Sequence, residues 1–133
     1  MEPAFADTAY FLALWLDTDK HHQAAIKYTR DVDRAIVTSR WVLAEVGNAL
    51  CKFPQRSRFG VFLERLEANK DVQILSADDD TFEQGATLYC SRTDKQWSLV
   101  DCTSFVVMSR LGLTDALTTD HHFEQAGFNA LLR

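Results

Sequence analysis

Four acids scattered along the chain, Asp7, Glu45, Asp101 and Asp120, fall where carboxylates can act together. Asp7 directly follows the short apolar run Ala4-Phe5-Ala6, Asp101 stands three residues after Ser98 at the head of an apolar helical segment, and Asp120 follows Leu117-Thr118-Thr119. All three positions read as junctions between a strand and a helix. Glu45 lies mid-helix instead, on the side carrying Trp41 and Ala49, where a charge at the border of an apolar stripe needs water or a partner. Carboxylates brought together repel one another and persist as anions only when paired, hydrated or bridged by hard cations that prefer oxygen. Magnesium or manganese suits such a set: the bound ion lowers the pKa of a water, orients the hydroxide for in-line attack on a phosphodiester and stabilises the developing charge. No separate histidine base is then required.

Each acid also has an ordinary explanation. Asp7 and Asp120 are suitable helix N-caps, and Ser98 with Asp101 resembles a capping box, although Glu or Gln is usual at its last position. Glu45 alone would pass for an exposed glutamate at a stripe's edge. The set, rather than any single member, points to a site.

The elements that must position these residues alternate. Ala4–Ala6 reads as a strand followed by a helix from Ala9, and residues 19–33 are helical, with Ala24, Ala25, Tyr28 and Val32 at spacings of three and four. Ala35–Thr38 has a buried-strand composition, and Ser39 caps a helix lined by Val42, Val46, Ala49 and Leu50 that Pro54 should end. A helix over 59–66, a strand over 72–75 and a helix over 78–91 follow, the last with Phe82, Ala86 and Tyr89 along one side. Ser98 opens a further helix that Gly112 stops, then come a strand at 116–118, a helical turn at Phe123 and a last strand within 128–132. Short apolar strands alternating with helices predict an α/β fold of three layers, α/β/α, around a central parallel sheet. In such sheets ligands sit beyond the carboxyl ends of the strands.

At 133 residues and 47% hydrophobic content the chain suits one domain over 1–133. No apolar stretch approaches the roughly 20 residues a membrane helix needs. Met1-Glu2-Pro3 lacks the basic region of a secretory signal, and Cys51, Cys90 and Cys102 show no C-x-x-C pairing, so a cytoplasmic protein with reduced thiols is expected. The net charge of −5 sits awkwardly with a nucleic-acid partner, because phosphate binding depends largely on Lys and Arg replacing counterions. Acids clustered around cations would neutralise part of it and leave room for basic strips, drawn from Arg40, Lys52, Arg56, Arg58, Arg92, Lys95 and Arg110.

His21-His22 and His121-His122 lack a third ligand at suitable spacing for a transition metal and read as solvated, though His121 or His122, beside Asp120, could touch a substrate phosphate. Trp15, Trp41 and Trp97 read as core or dimer contacts. The apolar stretch Phe53, Phe59, Phe62 and Leu63 suits core, or a groove for a partner helix or a second subunit. A phosphoacceptor receiver domain would need an aspartate ending the third strand, where Leu75 gives way to Ser76-Ala77, and a lysine further on, yet none follows Lys95. A haloacid-dehalogenase-like phosphatase would need a second aspartate at the place of Ala9.

Four segments together resemble PIN-domain ribonucleases, particularly the VapC-like toxins of toxin-antitoxin pairs. Phe5-Ala6-Asp7-Thr8-Ala9 is similar to the family's opening strand with its first acid, and Leu43-Ala44-Glu45-Val46 holds the second. Residues 98–105, Ser-Leu-Val-Asp-Cys-Thr-Ser-Phe, resemble the third motif, and residues 117–123, Leu-Thr-Thr-Asp-His-His-Phe, the fourth. The resemblance implies that Asp7, Glu45, Asp101 and Asp120 hold Mg²⁺ or Mn²⁺, with Thr8 and Thr118 supporting them as hydrogen-bond donors. It further implies endonucleolytic cleavage of single-stranded or looped RNA, homodimers and a small antitoxin protein as inhibitor. Alternatives within the same fold are a PIN nuclease of general RNA processing and a non-catalytic interaction module, against which the intact acid quartet argues.

Overall fold

The computed structural model describes residues 1–52 and 54–133. Five strands form one parallel sheet: β1 (Ala4–Ala6), β2 (Ile36–Ser39), β3 (Val72–Leu75), β4 (Asp115–Leu117) and β5 (Asn129–Ala130), in the order β3-β2-β1-β4-β5. Helices flank it: α1 (Thr8–Trp15), α2 (His22–Asp31), α3 (Arg40–Ala49), α4 (Arg58–Ala68), α5 (Asp79–Ser91), α6 (Leu99–Leu111) and α7 (His121–Gln125), with a 3₁₀ turn at Gln55–Ser57. The α/β expectation holds, and the central position of β1 explains its composition. A strand covered on both faces reads as a continuous apolar run rather than an alternating one, and Ala4, Phe5 and Ala6 are all fully buried. Phe5 registers with Val37 of β2 on one side and Ala116 of β4 on the other.

The chain moves from β1 outward to β2 and β3, then returns to place β4 on the opposite side of β1. The order therefore reverses between β1 and β4, and a crevice opens at the carboxyl ends of these two neighbours. Asp7 extends their ladder by donating its backbone N–H to the Leu117 carbonyl at 3.1 Å. Helix α6 is held against this crevice by aromatic packing: Phe105 meets Trp97, Phe123 and Phe128 at centroid distances of 5.0, 4.9 and 5.8 Å. The same cluster fixes α7, so α6 and α7 are positioned by one body of buried rings.

Two elements depart from expectation. Helix α3 ends at Ala49, before Pro54, with Leu50 leaving helical geometry as its buried C-cap, and Pro54 instead leads into the 3₁₀ turn. Helix α5 turns a different face inward: Thr81 and Gly85 are buried, whereas Phe82 and Tyr89 are 42% and 51% exposed. The reason is close approach to α6, since a Cβ built on Gly85 would stand 2.8 Å from Thr103 Cγ2. Small side chains form this seam, and Phe82 and Tyr89 are left outside. Phe62 is core and Phe59 and Leu63 pack partly against it, while Phe53 lies outside the described residues. Trp97 is buried and donates to Gln125, whereas Trp15 packs partly buried against the core. His22 is not simply solvated, because its Nδ1 bonds the Ala13 carbonyl at 2.7 Å and ties α2 to α1.

Candidate active site

Asp7 occupies the N-cap position of α1 with extended backbone, yet its side chain caps nothing. Its Oδ2 accepts a hydrogen bond from Thr118 Oγ1 at 3.0 Å, and its Oδ1 is buried without a partner. Capping therefore does not account for Asp7. Asp101 serves two ends: it completes a true capping box, accepting from the Ser98 backbone N–H on Oδ2 while Ser98 Oγ accepts from the Asp101 N–H. Asp120 does cap α7, its Oδ1 accepting from the His122 N–H at 2.9 Å. Glu45, from α3, accepts on Oε1 from Thr8 Oγ1.

A common pattern emerges. Each carboxylate has one oxygen fixed by a protein donor, and among the described residues its second oxygen has none. Oxygens of Asp7, Asp101 and Asp120 lie within 4.8 Å of one another. Glu45 lines the same cavity, which has a volume of about 350 Å³ and includes Thr8, Leu12, Gln96, Ser98 and His122 in its wall. The structure thus brings all four sequence-predicted acids to one place, three of them in a tight group with Glu45 bordering it. Thr118 connects two of them, donating to Asp7 while its Oγ1 accepts from the Asp120 N–H at 3.0 Å.

The electrostatics are those of a site that wants positive charge. No lysine or arginine is among the residues lining the cavity. Burial, then the neighbouring Asp101 and Glu45, push the Asp7 carboxyl up to about 7, against the bonds from Thr8 and Thr118. Burial likewise raises the Glu45 carboxyl, with Asp101 and Asp120 adding to it against the Thr8 bond. Asp101 is raised by burial and by Asp120, opposed by the Ser98 backbone and by His122. A buried carboxylate oxygen without a donor, set among further anionic oxygens, fits a hard divalent cation, which takes oxygen ligands and removes the mutual repulsion.

One wall residue has no signal in the sequence and another does more than the sequence suggests. Gln96 sits in the loop before α6, where no periodicity marks it. His122, a candidate phosphate contact by sequence, has its Nδ1 3.2 Å from Asp101 Oδ2 and 3.4 Å from Asp120 Oδ1, so it also holds two of the acids. His121 and His122 nitrogens also come within 4.8 Å of an Asp120 oxygen, a second arrangement capable of holding a metal. With His122 Nδ1 bonded to Asp101, the oxygen group is the better open site.

The PIN domain family model matches residues 4–129. The 23S rRNA-specific endonuclease VapC20 of Mycobacterium tuberculosis is 30% identical over 125 residues, covering 93% of this chain and 94% of that protein. The crystal structure of VapC20, described as a sarcin-ricin loop cleaving toxin, superimposes with a TM-score of 0.85 at 27% identity over 94% of this chain and 95% of that one. FitAcB of Neisseria gonorrhoeae shares the fold at a TM-score of 0.66 and 18% identity, over 96% and 95% of the two chains. With its acids gathered at the crevice between β1 and β4 and these relatives matched along nearly its whole length, the chain belongs to the PIN-domain family, as a homologue of the VapC toxin ribonucleases.

Proposed function

We propose that this protein is a metal-dependent endoribonuclease, the toxin of a toxin-antitoxin pair, hydrolysing RNA phosphodiesters with Asp7, Glu45, Asp101 and Asp120 holding Mg²⁺ or Mn²⁺. The observation that carries the reading is the unpartnered, buried Oδ1 of Asp7, a carboxylate grouped closely with those of Asp101 and Asp120. Bound there, such an ion supplies a water of lowered pKa and a positive centre for the phosphate. The chain's own residues do the positioning. Thr118 and Thr8 orient Asp7 and Glu45 through one oxygen each, and Ser98 and His122 orient Asp101, which leaves the opposite oxygens without a protein donor among the described residues. These second bonds preorganise the donors before substrate arrives, which limits rearrangement on binding.

The homologue acts on 23S rRNA by name, and a ribosomal RNA loop is the first substrate to try. The cytoplasm is the setting that goes with this reading; separately, among the described residues no helix is long and apolar enough to cross a membrane. The partners are a small antitoxin protein and a second copy of the chain.

The test is incubation of the pure protein with labelled RNAs, a ribosomal loop among them, in Mg²⁺, Mn²⁺ or chelator. Endonucleolytic cuts should appear with metal, vanish with chelator and fall by about 100-fold or more in Asp7→Asn and Asp101→Asn. Cleavage that survives chelation, or survives both substitutions, would overturn the reading.

A further inference from the structure

Away from the acid cavity the surface changes sign. Of the seven basic residues that the sequence offered for phosphate contact, three are paired with an acid of their own, Arg40 with Glu67, Arg92 with Asp94 and Arg110 with Asp80, and Lys95 stands 3.9 Å from the Asp94 that Arg92 already holds. The remaining three, Lys52, Arg56 and Arg58, are exposed and form no ion pair among the described residues. They are neighbours in one stretch, and no acid occurs between Glu45 and Glu64. Arg56 donates to the Cys51 carbonyl at 3.1 Å and Arg58 to Gln55 Oε1 at 3.1 Å, neutral acceptors that orient the guanidinium groups without cancelling their charge.

The stretch also has an aromatic anchor. The guanidinium carbons of Arg58 and Arg65 lie 5.6 and 5.9 Å from the Trp15 ring centroid, within cation–π range. Arg65, too, is exposed and without an acid partner among the described residues. Two elements lead from the cavity to this strip. Thr8 and Leu12 line the cavity, and Trp15 continues the same face of α1, about 10 Å along the axis from Thr8. Glu45 borders the cavity on α3, and Lys52 follows two residues past the end of that helix's C-cap.

We infer that this strip, Lys52, Arg56 and Arg58 with Arg65 beside them, holds the phosphates of the RNA strand that runs out of the acid cavity. The inference rests on the endoribonuclease reading for its ligand. A chain of net charge −5 needs a local positive surface to retain a polyanion, and guanidinium groups held in place but not neutralised are suited to phosphate. An acidic peptide would match the strip's sign but would be repelled by the cavity's carboxylates if it continued along α1 or α3, whereas RNA can meet cations at the strip and bridge to metal in the cavity. Arg92 and Arg110, each paired with an aspartate, offer a weaker attraction.

The experiment measures anisotropy of a fluorescent single-stranded oligoribonucleotide in Mg²⁺, with Asp101→Asn in the full chain to suppress turnover. The triple substitution Lys52→Gln, Arg56→Gln, Arg58→Gln is compared with Arg92→Gln, Arg110→Gln and with a charge-keeping triple, Lys52→Arg, Arg56→Lys, Arg58→Lys. The neutral triple should weaken binding by about tenfold or more, and flatten the dependence of log affinity on log salt by about 2, roughly 0.7 per lost phosphate contact. The charge-keeping triple and the Arg92/Arg110 pair should stay within about twofold of the parent. Without the Asp101 change, the neutral triple should raise KM and leave kcat within about twofold. An unchanged affinity and salt slope in the neutral triple, or an equal loss in the Arg92/Arg110 pair, would overturn the inference. RNA held through this strip by a chain that cuts none would uphold it and sink the nuclease reading, so the two failures are separable.

Discussion

At the scale of single residues the decisive one is Asp7, whose side chain does not cap and whose Oδ1 has no donor. Its carboxyl is pushed from 3.8 up to about 7, first by burial and then by Asp101. A carboxyl raised on folding favours the folded state in its neutral form, so its contribution is complete below about pH 4 and is lost as pH climbs through 7. Asn keeps the shape and can still accept from Thr118, but carries no charge. In chelator, Asp7→Asn should therefore be more stable than the parent at pH 8, by on the order of 1–3 kcal/mol, and equal to it near pH 4. Thermal unfolding of both proteins across that range checks it; no advantage at pH 8 would mean that Asp7 is not a charge held at a penalty. The sequence could not separate this residue from a cap, because Asp before a helix looks the same in either role. Asp101 shows the opposite lesson: capping and facing the cavity proved compatible, since one carboxylate has two oxygens to share between them.

Among the elements, α6 matters most, because it carries Asp101 and rests on α5 through a seam of small groups. An alanine Cβ at Gly85 would meet Thr103 Cγ2 at 2.8 Å and the Thr103 backbone at 3.2 Å. The side-chain methyl can move, but the backbone cannot without shifting α6, so overpacking here should cost about 1–3 kcal/mol. Gly85→Ala is expected to lower Tm by several degrees and, by displacing α6, to lower cleavage more than its stability loss explains at 25 °C. A variant with wild-type Tm would show that the seam has slack. This seam also explains what the sequence misled about. Apolar periodicity marks Phe82, Ala86 and Tyr89 as one side of α5, whereas close helix approach selects for the smallest side chains, a criterion that hydrophobicity does not register. The central strand was legible because its composition answers to burial on both faces: β1 reads as uninterrupted apolar residues and is fully buried. The end of α3 was misplaced because Pro54 is a conspicuous breaker, although the chain leaves the helix earlier, at Leu50.

For the molecule as a whole, four acids from separate elements form one cavity only when the sheet order brings β1 beside β4 and the helices dock. The unfolded chain has no such site, so a cation binding here is linked directly to folding. At a free Mg²⁺ or Mn²⁺ concentration of 100 times Kd the folded state should gain about 2.7 kcal/mol, which for a domain of this size raises Tm by roughly 8–12 °C. Binding must also displace the Asp7 proton. With that carboxyl near 7 in the metal-free protein, affinity should fall about tenfold between pH 8 and pH 6, and the metal-induced rise in Tm at fixed metal should shrink in step. Asp7→Asn should show neither the rise nor its pH dependence. Differential scanning calorimetry with Mn²⁺ titrated at pH 6, 7 and 8 makes the measurement without RNA or turnover. An equal rise in the parent and in Asp7→Asn would place the ion elsewhere, for instance on Asp120 with the His121-His122 pair, and a rise independent of pH would mean that Asp7 is already ionised before the ion arrives.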